Sequence, residues 1–346
     1  MVTIAALVAV PLLLEAAFRI AHDIPLFSKA NFLVQSVDLL SVHALNRYDE
    51  TLGWVLRDGL RAFNGDMTTG RYGIRMNDSQ AREPPQGGIL AVGDSYTAGS
   101  LVKDTETWPS VLEKMVGVPV LNASAGGWGV DQIVLNAERL IPILRPRAVV
   151  VGIFIEDIIR SAFEMFGGGF KPWFAVENNQ AVLRGVPVPR PDAKSFSLNK
   201  WQSIFGRSFL VHWAMRRWGG ARWQIDPAQK YRRVHADPQS AMVSCCLLDR
   251  VARFAAQHGA RVGVIIFWTP NDALKSPEQP LAALVAEFSR KRGLPTIDLY
   301  HLLRSVAVRD AAAYRRLWLE DGHMSAEGNA WVAQVIREAF FNEKAA

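Results

Sequence analysis

Five short, mostly apolar runs, most of them rich in β-branched side chains, constrain this 346-residue chain more than any other feature. They are Ile89-Leu-Ala-Val92, Val118-Pro-Val-Leu121, Ala148-Val-Val-Val-Gly-Ile-Phe154, Val262-Gly-Val-Ile-Ile-Phe267 and Thr296-Ile-Asp-Leu299. A strand that is apolar along its whole length needs cover on both faces, which is the condition of a parallel sheet flanked by helices. The intervening segments supply that cover. Val130, Ile133, Val134, Ala137, Leu140, Ile141 and Leu144 recur at helical spacing, as do Leu247, Leu248, Val251, Phe254 and Ala255, and then Trp331, Val332, Val335, Ile336, Ala339 and Phe340. The alternation predicts an α/β fold, a three-layer α/β/α sandwich around a central, mainly parallel five-stranded sheet.

The chain divides into three parts. Residues 1–28 open with MVTIAALVAVPLLLEAAF, apolar apart from Thr3 and Glu15 over about 18 residues, close to the minimum for spanning a bilayer. There is no Lys or Arg before Arg19 and no clear small-residue cleavage site, so the segment reads as an uncleaved membrane-anchor helix. A buried hydrophobic helix and an atypical signal peptide are the alternatives. Residues 29–87 are an irregular lead-in punctuated by Gly53, Gly59, Gly65, Gly70, Gly73 and the Pro84-Pro85 pair. Residues 88–346 hold the α/β domain, interrupted at about 161–239 by an insertion with Gly167-Gly168-Gly169 and the aromatic and basic stretch from Phe209 to Trp223. That insertion can act as a lid or substrate wall, stack on sugars, lie at a membrane interface, or simply pack on its parent domain.

Composition excludes some classes. The net charge of +6 comes with no long basic run and no zinc-finger or RNP pattern, so nucleic acid is not an expected partner. The two cysteines, Cys245 and Cys246, are adjacent, where a disulfide between them would be strained.

The residues able to do chemistry follow the strands. Gly93-Asp94-Ser95-Tyr-Thr-Ala-Gly99 comes after the first run, which puts Ser95 at a strand's carboxyl end, where open α/β sheets bind ligands. A serine needs a base within reach and a third group to orient that base. His323, in Leu319-Glu-Asp-Gly-His-Met-Ser325, precedes the last amphipathic segment, with Asp321 two residues before it and Glu320 as a second carboxylate. His301, three residues after Asp298, is its nearest rival. Asn122-Ala-Ser-Ala-Gly-Gly-Trp-Gly129 follows the second run, with glycines that let backbone amides approach a substrate. Glu156-Asp157 ends the third run, as cleft-lining acids or as favourable charge at a helix start.

In this order the motifs resemble the SGNH, or GDSL, hydrolase superfamily, over roughly Gly88 to Glu338. Gly93-Asp94-Ser95 is similar to its nucleophile block, Asn122 to Gly127 to its glycine block, and Asp321-Gly322-His323 to its C-terminal Asp/His block. The lead-in pieces Asp49 to Trp54 and Tyr72 to Arg75 resemble those of bacterial members with an N-terminal membrane segment. The resemblance implies a serine ester hydrolase or O-acyltransferase that works through an acyl-enzyme. Its substrate would be O-acyl, for instance acetyl, groups of a cell-envelope glycan or another ester, and its domain would be periplasmic or extracellular. Ser95 would be the nucleophile, His323 the base, Asp321 (or Glu320) its orienting acid, and the N–H groups of Ser95 and Gly127 the oxyanion hole. No cofactor or metal is implied. One departure stands out: Glu156 occupies the place of the family's oxyanion-binding asparagine, where a carboxylate would repel the charge. A weakened domain that serves as a glycan- or partner-binding module is therefore the alternative.

Overall fold

In the computed structural model, which describes residues 2–28, 31–36, 45–78, 83–190 and 192–341, the run Ala148–Phe154 is the middle strand of the molecule and every one of its residues is buried. It is β3 of a sheet whose other strands are β1 (Ile89–Val92), β2 (Val120–Asn122), β4 (Arg261–Phe267) and β5 (Thr296–Asp298). All neighbours are parallel, in the spatial order β5-β4-β3-β1-β2. The strand order therefore reverses between β1 and β3, the place where doubly wound sheets open a ligand crevice.

The helices that matter for the sheet, the site and the insertion are α1 (Val2–Ala21), α2 (Ser95–Ala98), α3 (Trp108–Val116), α4 (Val130–Leu144), α5 (Ile155–Arg160), α6 (Phe209–Trp218), α7 (Asp237–Gln257), α8 (Pro280–Lys291), α9 (Leu299–Arg309) and α10 (Ala326–Phe340). They cover the sheet in two groups: α3 packs on α10, and α4 packs on α7, which packs on α8. Two strands stop short of the predicted runs for local reasons. Val118 and Pro119 lie outside β2, because Pro119 has no N–H to give a ladder; only its carbonyl is used, by the Ile89 amide at 2.8 Å. Leu299 leaves β5 because the Asp298 carboxylate caps the Tyr300 amide (2.9 Å) and starts α9.

The lead-in forms two small antiparallel pairs, Asn46–Asp49 with Gly53–Leu56 and Arg61–Ala62 with Met67–Thr68, and is built into the main core through Leu52, Trp54, Val55, Leu56, Met67 and Ile74. Arg75 fastens it. Fully buried, its guanidinium pairs with Asp104 at 2.8 Å and donates to the carbonyls of Ala98 and Val102. The insertion forms a three-stranded sheet from Phe163–Phe166, Gly169–Phe170 and Arg232–Arg233, then a hairpin from Trp173–Glu177 and Gln180–Arg184. A second small core joins it to the N-terminal region through Leu33, Val34, Met165, Phe196, Trp223 and Ile225.

Among the described residues no helix is long and apolar enough to cross a membrane. The second half of α1 is fixed to the insertion. Glu15 caps α6 by accepting from the amides of Phe209 (2.8 Å) and Leu210 (2.9 Å), and Arg19 bonds both Glu15 and the Arg207 carbonyl.

Candidate active site

Ser95 opens α2 directly beyond β1, and its surroundings explain the residues on either side of it. The Asp94 carboxylate caps the helix through the Tyr96 amide at 2.9 Å. A Cβ on Gly93 would lie 2.1 Å from Thr97 Oγ1 and 2.9 Å from the Gly152 carbonyl, so only glycine lets this turn close onto β3. As the first residue of the helix, Ser95 has an amide that the helix itself leaves free to donate.

His323 meets this serine from the loop before α10, 228 residues away in sequence. Its Nε2 lies 3.0 Å from Ser95 Oγ, and its Nδ1 lies 2.8 Å from Asp321 Oδ2, with the His323 amide donating to Asp321 Oδ1 at 3.1 Å. A carboxylate on Nδ1 selects the tautomer that carries its proton there, which leaves Nε2 as the acceptor facing the serine. Burial tends to raise the Asp321 carboxyl, but the amide and imidazole of His323 outweigh it and hold the group below its ordinary value. Glu320 is exposed, and the carboxylate on the imidazole is Asp321. His301 points outward, its nearest acid being Glu278 at 3.9 Å. Asp298 is instead engaged by the Trp268 indole (2.7 Å).

Tyr96 fixes the imidazole face. Its ring lies 5.1 Å from that of His323 and 4.4 Å from that of Phe154, and its hydroxyl donates to the Gly322 carbonyl at 2.9 Å. Burial, with Asp94 and Glu156 nearby, pushes the phenol well up, so it stays a neutral donor.

The glycine loop lies against the serine: a Cβ on Gly126 would stand 3.9 Å from Ser95 Cβ. Gly127 has φ +76°, a conformation glycine adopts without strain. Two tryptophans pin the loop on both sides of Gly127. The Trp54 indole donates to the Gly126 carbonyl, and the Trp128 indole donates to the Trp54 carbonyl, each at 3.0 Å. A cavity of about 320 Å³ opens beside Gly126, with Leu56, Met67, Ala98, Ser100 and Val102 in its wall.

Glu156 does not face the serine as a lone charge. It is half-exposed in the first turn of α5, and its carboxylate takes a hydrogen bond from Arg160 at 3.1 Å. The same guanidinium donates to Asp157 (2.7 Å), to Asp94 (3.1 Å) and to the Trp128 carbonyl (3.3 Å). Asp94 Oδ2 is in turn 3.2 Å from Ser95 Oγ. Burial first, and the like charge of Asp94 second, push the Asp157 carboxyl well above the usual range. Burial works against the Arg160 cation, but Asp157, Asp94 and Glu156 outweigh it and hold the group charged.

The four blocks thus end on one edge of the sheet at the β1/β3 switch point: serine after β1, glycines after β2, the Glu156-Asp157 pair after β3, and the His323 loop before α10. This is the doubly wound α/β/α arrangement that the resemblance implies. No protein-family model and no curated protein matches the chain. Among solved structures, the chain is similar to an esterase, EstA, from Pseudoalteromonas (11% identity, 73% of this chain and 96% of that one, TM-score 0.40). It is also similar to an acetyl-xylooligosaccharide esterase from Geobacillus (12%, 76% and 98%, 0.41) and to a member of the lipolytic G-D-S-L family from Veillonella parvula (13%, 73% and 97%, 0.39). Likeness at this level assigns no activity.

Sequence reasoning missed Trp54, Trp128 and Arg160. The spacing of Glu156, Asp157 and Arg160 at i, i+1 and i+4 is a visible signal of a charged cluster on one helix. Contact of Trp54 with Gly126 and of Arg160 with Asp94 has no local signature.

Proposed function

We propose that this chain is an SGNH-type serine ester hydrolase or O-acyltransferase that acts through an acyl-enzyme. The observation that carries the reading is the chain of hydrogen bonds Asp321–His323–Ser95, at 2.8 and 3.0 Å, at the edge of the sheet where the strand order reverses. Ser95 Oγ attacks the ester carbonyl carbon while its proton passes to His323 Nε2, and Asp321 stabilises the imidazolium. The N–H groups of Ser95 and Gly127 hold the oxyanion. Collapse of the intermediate breaks the C–O bond to the alcohol, which leaves with the proton from His323. Water, or the hydroxyl of an acceptor, then attacks the acyl-enzyme with His323 again as base, and Ser95 is restored.

The acyl group occupies the cavity beside Gly126, and the acceptor or leaving alcohol is a hydroxyl of a cell-envelope glycan presented to a membrane-tethered domain. No cofactor enters these steps. The test is covalent labelling by a fluorophosphonate, with hydrolysis of acetylated glycan as the second readout. Wild type should label while Ser95→Ala should not, and the variant's kcat should fall by on the order of 10⁵ to 10⁶. Equal labelling of both would refute the reading.

Glu156, which offers no N–H where the resemblance implies an asparagine donor, favours a second reading, a domain that binds a glycan or a protein partner without turnover. In that case Ser95→Ala would leave glycan binding intact and no hydrolysis would be measurable in wild type.

A further inference from the structure

One segment carries as much net positive charge as the whole molecule. Between Lys194 and Arg222 there are six Lys and Arg residues and no Asp or Glu, equal to the net +6 of the entire chain. The rest of the sequence is balanced. All six, namely Lys194, Lys200, Arg207, Arg216, Arg217 and Arg222, are exposed. Among the described residues none of them forms an ion pair.

The same segment exposes large aromatic rings. Trp218 is 71% exposed and stands edge-on to Trp213 (5.8 Å), while Trp201 is 67% exposed and stacked on Phe205 (5.5 Å). Beside Trp201 and Phe205 lies an apolar cavity of about 440 Å³, also walled by Val211, Met215 and Trp223, with Arg222 in its lining. The patch continues onto α1. Phe18 packs edge-on against Trp213 at 5.1 Å, and beyond it Val10, Leu12, Leu13 and Leu14 are exposed, as is Phe27 (94%) after the helix. Glu15 and Arg19 fix the two pieces to each other, so that the exposed residues of α1 are joined to those of the insertion.

We propose that this face of the insertion, together with α1, is a docking surface for an anionic lipid bilayer. The unpaired cations meet lipid phosphates, the indole rings lie at headgroup level, and the cavity between Trp201 and Met215 takes part of an acyl chain. Aromatic rings with one wet edge prefer the membrane interface, and a basic patch beside them adds attraction to anionic lipid. An acidic polysaccharide would satisfy the cations, but it gives no reason for exposed leucines and an apolar cavity beside them. The proposal needs contact with lipid and not a membrane span, and it is independent of the catalytic reading.

The experiment uses the full chain reconstituted in vesicles of brominated phosphatidylcholine, with or without phosphatidylglycerol, and measures the lipid-quenched share of tryptophan emission. Quenching should rise with phosphatidylglycerol and fall back in high salt. The triple variant Arg216→Gln/Arg217→Gln/Arg222→Gln should lose that dependence on anionic lipid. Each cation near such a surface contributes roughly fivefold in partitioning. Trp201→Phe with Trp218→Phe should remove most of the quenchable emission, and, as both side chains are exposed, should leave the melting temperature unchanged. The proposal is overturned if quenching is the same in both lipid mixtures and in the triple variant. It is equally overturned if an acidic polysaccharide binds with the same arginine dependence while no emission is quenched by lipid.

Discussion

At Asp321 a single carboxylate serves both the backbone and the ring of His323, and this makes its removal informative. Asp321→Asn keeps the shape but offers an N–H where Nδ1–H needs an acceptor, so a fall in kcat of roughly 10⁴ is expected. The stability effect has a different pH window. The folded carboxyl lies below its ordinary value of 3.8, so its contribution is present above that value and is lost as pH falls through the folded one. Urea midpoints of wild type and Asp321→Asn should therefore converge only in strongly acidic solution. Glu156 is the other informative residue. With its carboxylate held by Arg160, replacing it by asparagine both restores an amide donor and releases one guanidinium N–H beside the Asp94–Ser95 pair. The expected outcome of Glu156→Asn is a rise in kcat on an acetyl ester with little change in KM. An unchanged kcat would put this position outside the oxyanion hole.

Among the elements, the strands were legible because their residues are apolar on both faces, and the long helices because their apolar faces repeat. Ile89–Val92 and Ala148–Phe154 form as predicted, while β2 is displaced by the missing N–H of Pro119. What could not be read was how elements meet. The start of α8 and the end of β5 illustrate this. Glu278 and Asp298 are 20 residues apart yet share a hydrogen bond; burial first, then this partner, pushes the Glu278 carboxyl up to about 7. A raised acid binds its proton more tightly when folded, so stability is fullest below the ordinary value of 4.5 and falls as pH rises to about 7. Glu278→Gln should gain on wild type across that interval and level off above it, as followed by thermal unfolding at each pH. Parallel curves would show that the pair is not coupled.

On the scale of the whole molecule, the insertion is tied to the α/β domain by one fully buried ion pair. Lys171, between the insertion's two small sheets, donates to Asp131 in the first turn of α4 and to the carbonyls of Phe163 and Pro172. Burial drives both partners toward their neutral forms, raising Asp131 and lowering Lys171. Lys171→Met leaves a buried acid without its cation and should cost about 3 to 5 kcal/mol, whereas Lys171→Met with Asp131→Leu should recover most of it. Denaturant unfolding of the two variants distinguishes this from simple loss of packing, which the double change would deepen. The sequence by itself determined the layered α/β architecture and brought forward Ser95 and His323, with Asp321 or Glu320 as the orienting acid. Those properties follow from periodicity and from residue types at strand ends, and both are local. Only the tertiary structure decided that Asp321 and not Glu320 reaches the imidazole, that Arg160 reaches Asp94 beside the serine, and that Trp54 of the lead-in holds the glycine loop. Each of these depends on where side chains distant along the chain, or pointing different ways from one loop, arrive in space, and no local pattern encodes that.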